Sequence, residues 1–225
     1  MIKKLIGAAL GKLGYIVTRK SRGGFYSSYL SGLCAPKTVF DIGVAQGTPE
    51  LYAAYPGARF FLVDPLEEFK AALEKIAGRL DCVVYNKALG EAEGALEIAL
   101  ETDPQLSSFC GRPRTDAPAA RRRVEVTTLD AILAENPGLA LPLLIKIDVE
   151  GFELKVLKGA RRTLALAEIV IVETSVAKRF DDGATLEDVV SFMSENGFAI
   201  FDFLTIVRRE GIPGAHLVDV VFRKK

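Results

Sequence analysis

From Thr38 onward the chain alternates short apolar runs with segments of helical period, and this alternation limits the available folds more than any other feature. "TVFDIG" reads as a buried strand, and Pro49 to Tyr55 as a short helix with proline in its first turn. "ARFFLVD" is the next strand, Glu67 to Ile76 the next helix, and "CVVYN" a third strand. "GALEIAL" and "RRVEVTTLD" read as two further strands around a Gly/Pro/Arg-rich loop, Asp103 to Arg123. That loop is long for a compact domain, which points to a functional or mobile segment. "LLIKID" is a strand, Phe152 to Leu164 a helix, "EIVIVET" a strand, and Leu186 to Asn196 a helix closed by Gly197. "FAIFDFL" and "HLVDVVFRK" end the chain as strands with no helix between them. An α/β fold follows: a mainly parallel, doubly wound sheet with an antiparallel C-terminal edge pair.

With 225 residues, 49% of them hydrophobic, one sizeable core is expected. Charge is distributed unevenly although the formal net charge is zero. Residues 1–40 hold Lys3, Lys4, Lys12, Arg19, Lys20, Arg22 and Lys37 and no acid. Ile2, Leu5, Ile6, Ala9, Leu10 and Leu13 share one helical face, with the lysines off it, so residues 1–37 read as a basic amphipathic arm ahead of a domain spanning 38–225. Such an arm either packs on its own domain or touches a membrane surface or another anionic partner. Nucleic acid is not expected, because no reading module accompanies the charge. The run Leu5 to Leu10 is too short to span a bilayer or to suggest a cleaved leader. Cys34, Cys82 and Cys110 are widely spaced and odd in number, which suggests neither a zinc site nor a disulfide framework. The expected setting is cytoplasmic and reducing, with the inner face of the membrane reachable through the arm.

The turn after the first strand, "VFDIGVAQG", has the spacing Gly43-x-x-x-Gly47 with Ala45 midway, which differs from the GxGxxG phosphate turn of dinucleotide binders. At the carboxyl edge of such a sheet, small residues let the backbone approach a ligand closely. Asp64 ends the second strand twenty-one residues after Gly43, where a carboxylate can accept both ribose hydroxyls. Asp41, beside the loop, suits a ligand with ammonium and sulfonium groups better than a pyrophosphate, so S-adenosylmethionine is favoured over NAD. An ordinary tight turn is the plainer alternative.

"VFDIGVAQG", "VDP", "NKALG", "VEVTTLD" and above all "LIKIDVEGFELKVLKGA" resemble the FkbM family of S-adenosylmethionine-dependent methyltransferases, over Thr38 to about Glu173. The resemblance implies a Rossmann-like class I methyltransferase fold and O-methylation of a hydroxyl on a sugar, polysaccharide, glycolipid or macrolide. It also implies that Gly43, Ala45 and Gly47 hold the methionine end of the cofactor, that Asp64 takes the ribose, and that Asn86, Lys87 and Ala88 line the adenine pocket. Two positions depart from the family's pattern. Val44-Ala45 stands where Ala-Asn is usual, and Asp64 stands where Glu is commoner; both changes keep the small loop and the carboxylate.

Methyl transfer to a hydroxyl needs in-line approach and a group to take the proton. "KIDVEG" places Asp148 at a strand's carboxyl end and Glu150 at the following turn, and Glu173 ends the neighbouring strand. These three are the candidate catalytic carboxylates: as a base, as acceptor ligands, or around a divalent cation that remains unassigned. In the plainer reading, Glu173 is the counter-charge of Lys146 within its apolar strand and Glu150 is a helix cap. Ser107 and Ser108 are candidates for contacting the acceptor, or simply turn residues. His216, the only histidine, reads first as an edge residue. Phe25, Tyr26 and Tyr29 suggest an aromatic wall or packing of the arm, and Arg112, Arg114, Arg121, Arg122 and Arg123 an anionic contact or a solvated loop. The sequence thus points to a methyltransferase with a sugar or glycoconjugate acceptor. The alternatives are an NAD-dependent oxidoreductase and a non-catalytic protein that keeps only the fold.

Overall fold

The structure is a computed structural model, and it describes residues 24–112, 120–209 and 213–225. The amphipathic stretch Ile2 to Leu13 lies outside the described residues, as does Arg114.

The central sheet has seven strands: β1 (Thr38–Ile42), β2 (Arg59–Val63), β3 (Cys82–Tyr85), β7 (Leu143–Ile147), β8 (Ala167–Ser175), β9 (Phe198–Val207) and β10 (Leu217–Lys224). Their order is β3-β2-β1-β7-β8-β10-β9. Strands β1, β2, β3, β7 and β8 pair in parallel, while β10 runs against both β8 and β9. Every residue of β1 is buried, as a strand covered on both faces requires. Phe40 and Ile42 enter one core with Ile145, Ile147, Val170 and Val220, and Val39 enters a second with Leu144, Ile171 and Val221.

Helices α1 (Gly24–Ser31), α2 (Pro49–Ala54), α3 (Lys70–Ala77), α4 (Leu129–Glu135), α5 (Glu153–Lys158), α6 (Arg161–Leu166) and α7 (Leu186–Glu195) complete the frame. Leu30 and Leu33 belong to the second core, and the Tyr55 hydroxyl donates to the Leu30 carbonyl. Residues 24–37 are also fastened to the far edge of the sheet. The Tyr29 hydroxyl donates to Asp202 Oδ2 at 2.6 Å, and Arg223 Nη2 donates to the Leu33 carbonyl at 2.9 Å.

Three sequence expectations need correction. "GALEIAL" and "RRVEVTT" do form strands, β5 (Gly94–Leu100) and β6 (Ala120–Thr127), but in a separate three-stranded sheet ordered β4-β6-β5, where β4 is Ala88–Leu89. The reason is one-sided burial: Ile98, Val124 and Val126 pack with Leu66 and Phe69, and most of β5 is exposed. The helix expected from Phe152 to Leu164 is two helices. A Cβ at Gly159 would lie 2.0 Å from the Gly90 carbonyl oxygen, so the backbones meet there. The second helix is capped from α4 by Asp130, whose carboxylate accepts from the amides of Arg162 and Thr163 at 2.9 and 2.8 Å. Helix α4 was itself not expected. Thr128, read as the end of a strand, caps it by accepting from the Ala131 amide at 3.0 Å. Among the described residues, no helix is long and apolar enough to cross a membrane.

Candidate active site

Strand β1 delivers the chain into a loop of unusual backbone: Gly43, Ala45 and Gly47 have φ of 77°, 47° and 109°. A Cβ on Gly43 would lie 1.7 Å from the Asp148 carbonyl oxygen, so the loop rests directly on the turn after β7. The Asp148 amide donates to the Ile42 carbonyl at 3.0 Å and joins the two strand ends. Gly47 faces inward, where a Cβ would meet Ile76 Cδ1 at 2.8 Å.

Asp64, at the end of β2, is buried; it accepts from the Ala45 amide at 2.8 Å through Oδ2 and from the Leu66 amide at 3.0 Å through Oδ1. Burial outweighs these two bonds and pushes its carboxyl up to about 6. Each oxygen keeps a free lone pair.

A cleft opens along this edge. Of the residues singled out from sequence, it brings together Gly43, Ala45, Asp64, Lys87, Ala88, Ser107, Asp148 and Glu150. Asp41, Gly47, Asn86, Ser108 and Glu173 are not in its wall. Asp41 lies wholly buried beneath the loop; its Oδ2 accepts from the Tyr52 hydroxyl at 2.9 Å, and its Oδ1 has no hydrogen-bond partner among the described residues. Burial raises its pKa, with Lys146 acting in the opposite direction. Ser108 serves the local frame: its hydroxyl donates to the Glu150 carbonyl at 2.6 Å and accepts from the Cys110 amide at 3.0 Å. Ser107 Oγ accepts from the Glu101 amide at 3.2 Å. The apolar walls, Leu66, Phe69, Phe109 and Phe152, carry no mark in the sequence; the last two have ring centroids 5.0 Å apart.

At the end of β7 the Lys146 ammonium donates to Asp148 Oδ2 at 3.0 Å. Burial by itself would lower the Lys146 pKa, but the charges of Asp148 and Asp41 outweigh it and the net shift is upward. The bonded counter-charge of Lys146 is therefore Asp148, where the plainer sequence reading had Glu173. Glu150, at φ 51°, is held by two arginines, Arg112 Nη2 at 2.9 Å and Arg179 Nη2 at 2.7 Å, both stacked on the buried Phe180 ring. Glu153 went unremarked in the sequence. It is buried, accepts from the Gly151 amide at 2.9 Å, and is pushed by burial up to about 7.

Glu173 faces Asp219 across the β8/β10 ladder. Its pKa is raised, first by burial and then by the charges of Asp148 and Asp219. His216 is buried and bridges β8 and β9 through its backbone; its pKa is lowered by burial and by Arg209 and Arg179. Arg122 pairs with Glu68 at 2.7 and 2.8 Å, outside the cleft wall. The side chains of Phe25 and Tyr26 lie outside the described set. Among the described residues, no group of three or more His, Cys, Asp or Glu side chains is placed to hold a metal ion.

The family profile described as the Methyltransferase FkbM domain matches residues 41–200. No curated protein matches the sequence significantly. Among solved structures, the chain shares its fold with magnesium protoporphyrin IX methyltransferase from Synechocystis PCC 6803, solved with bound S-adenosylmethionine. The TM-score is 0.50 at 12% identity, covering 90% of this chain and 78% of that one. Another similar structure is 1,6-didemethyltoxoflavin-N1-methyltransferase from Burkholderia thailandensis, with a TM-score of 0.47 at 15% identity, covering 99% of this chain and 85% of that one.

Proposed function

The chain belongs to the FkbM family of S-adenosylmethionine-dependent methyltransferases, and from that premise we propose that it methylates a hydroxyl on a sugar of a surface glycan, glycolipid or other glycoside. The observation that carries this reading is Asp148. It lines the cofactor cleft beside Gly43, it is bonded to a buried ammonium, and it continues toward Glu173 on the next strand. Carboxylates suit a polyhydroxyl acceptor because they accept hydrogen bonds from hydroxyls and can take the proton of the one that reacts.

The residues fit the cofactor. The close-approach loop leaves room for an extended ligand, Asp64 has lone pairs free for ribose hydroxyls, and Asp148, in the cleft wall, supplies negative charge near the place of a sulfonium. When bound, the cofactor supplies an electrophilic methyl group. Asp148 orients the acceptor hydroxyl toward it, Lys146 fixes the Asp148 side chain, and the Phe109–Phe152 pair shields one side of the cleft from water. Glu173, next to Asp148 in the strand row but outside the cleft wall, receives the proton by way of Asp148. The basic amphipathic stretch Met1 to Leu13 brings the enzyme to an anionic membrane surface.

Calorimetry with S-adenosylmethionine, S-adenosylhomocysteine and NAD tests the cofactor; binding of NAD alone would replace this reading with an oxidoreductase. Mass spectrometry of glycans from cells with and without the protein tests the acceptor, and the expected difference is one methyl group on a sugar. Identical glycan spectra would refute the acceptor class.

A further inference from the structure

The carboxyl edge of the sheet carries a carboxylate that neither the motifs nor the resemblance single out. Asp219 on β10 stands directly opposite Glu173 on β8 in the antiparallel register, and side chains so placed have Cβ atoms about 4.5–5.5 Å apart. Both lie on the face of Ile171 and Val221, which are two residues away along their strands and buried in the second core. Leu144 and Lys146 share that face on β7, and continuing the register Lys146↔Ile171, Ile147↔Val172 puts Asp148 beside Glu173. Asp148, Glu173 and Asp219 thus follow one another across three strands with Lys146 beneath.

The charges in this row are not balanced. Among the described residues, the ammonium that reaches these carboxylates, Lys146, is already bonded to Asp148 at 3.0 Å. Asp41, opposite Lys146 on β1, adds a fully buried carboxylate with one unpartnered oxygen. Glu150 also acts on Glu173 but is bonded to Arg112 and Arg179. Thr205, opposite Asp219 on β9, favours its ionised form, and Lys146 does the same for both acids, least for Glu173 relative to its other neighbours. Burial and neighbouring carboxylates act the other way on Glu173 and Asp219 and raise both. Two facing, part-buried carboxylates without a cation of their own keep one proton between them.

We propose that Asp219 is a positioning residue for methyl transfer: it shares a proton with Glu173, and the pair accepts the acceptor's hydroxyl proton as a unit. The inference rests on the methyltransferase reading above. In the step, the acceptor oxygen forms the new C–O bond as the C–S bond breaks, and the sulfonium becomes a neutral thioether. The hydroxyl proton passes by way of Asp148, in the cleft wall, to the singly ionised Glu173–Asp219 pair, which becomes neutral and later releases a proton to water. Asp219 keeps Glu173 basic enough for this.

The test is a ¹³C-carboxyl NMR titration of the full chain, wild type, Asp219→Asn and Asp219→Glu, with radiolabelled methyl transfer to a total glycan extract measured across pH. In the wild type, Glu173 should titrate well above an ordinary glutamate. Asp219→Asn should lower its midpoint by about one pH unit or more and move the rising limb of the rate profile to lower pH by the same amount; Asp219→Glu should restore both. A Glu173 midpoint unchanged in Asp219→Asn, or an ordinary midpoint in the wild type, would overturn the proposal. An NMR shift without any movement of the rate profile would overturn it as well, because a structural carboxylate would behave in that way. Absence of methyl transfer by the wild type would count against the acceptor reading instead, since the titration reports proton sharing independently.

Discussion

Ala45 donates its amide hydrogen to Asp64 Oδ2 across 2.8 Å, so the glycine loop after β1 and the carboxylate at the end of the adjacent β2 form one hydrogen-bonded unit. The residue proposed to receive ribose hydroxyls thus also holds the glycine loop. Asp64→Ala is therefore expected to do two things. It should weaken S-adenosylmethionine binding at least about tenfold, from the loss of charge-assisted bonds of roughly 1.5–3 kcal/mol each. It should also lower stability by about 1–3 kcal/mol, because the Ala45 and Leu66 amides lose their acceptor. Calorimetry and urea unfolding check the two effects, and an unchanged affinity would remove Asp64 from the ribose site.

Gly43 and Gly159 separate function from scaffold. A Cβ at either position would overlap backbone, at 1.7 Å from the Asp148 oxygen and 2.0 Å from the Gly90 oxygen. Gly43→Ala adds a left-handed φ of 77° and forces the loop away from the cleft, so cofactor binding should be abolished. Gly159→Ala should lower the melting temperature with little effect on cofactor affinity in the folded fraction. Gly57→Ala, with open space around it, should change neither.

Glu153 gives the stability a pH dependence. Its folded pKa of about 7 lies above the ordinary glutamate value, so its contribution to stability is complete below the unfolded value near 4.5 and is lost as pH rises through 7. At pH 8 the cost is at most roughly 3 kcal/mol. Glu153→Gln can still accept from the Gly151 amide and carries no charge. It should match or slightly lower the wild-type melting temperature at pH 5 and exceed it at pH 8. Parallel melting curves for the two proteins across this range would contradict the assignment.

The main frame was legible because β1, β2, β7 and β8 are buried on both faces, and such strands must read as near-continuous apolar runs. The sequence could not say which sheet "GALEIAL" joins. Alternation reports one-sided burial, not the partner, and β5 packs on Leu66 and Phe69 rather than on the central sheet. The break at Gly159 depends on Gly90, and the cap on the second half-helix on Asp130, both far away in sequence. In the site, the glycine loop and Asp148 announced themselves by spacing and type. The double engagement of Glu150 by Arg112 and Arg179, and the pairing of Asp219 with Glu173, arise only when distant segments meet.

Asp148 combines two roles: it lines the cleft, and it is the bonded partner of Lys146 at 3.0 Å. Asp148→Asn should therefore abolish methyl transfer and also destabilise the fold. Because the Asp148 side chain keeps 32% exposure while that of Lys146 keeps 13%, water relieves part of the stranded ammonium's cost. The expected loss is about 2–3 kcal/mol, below the 3–5 typical of a fully buried pair. Lys146→Met in the Asp148→Asn background removes the stranded charge while keeping an apolar stem in the strand. That double variant should recover most of the stability without recovering activity, and the coupling can be read from a double-mutant cycle in urea. Recovery of activity together with stability would show that Asp148 acts only by holding Lys146. Full stability of Asp148→Asn alone would show that the ion pair contributes nothing to the fold.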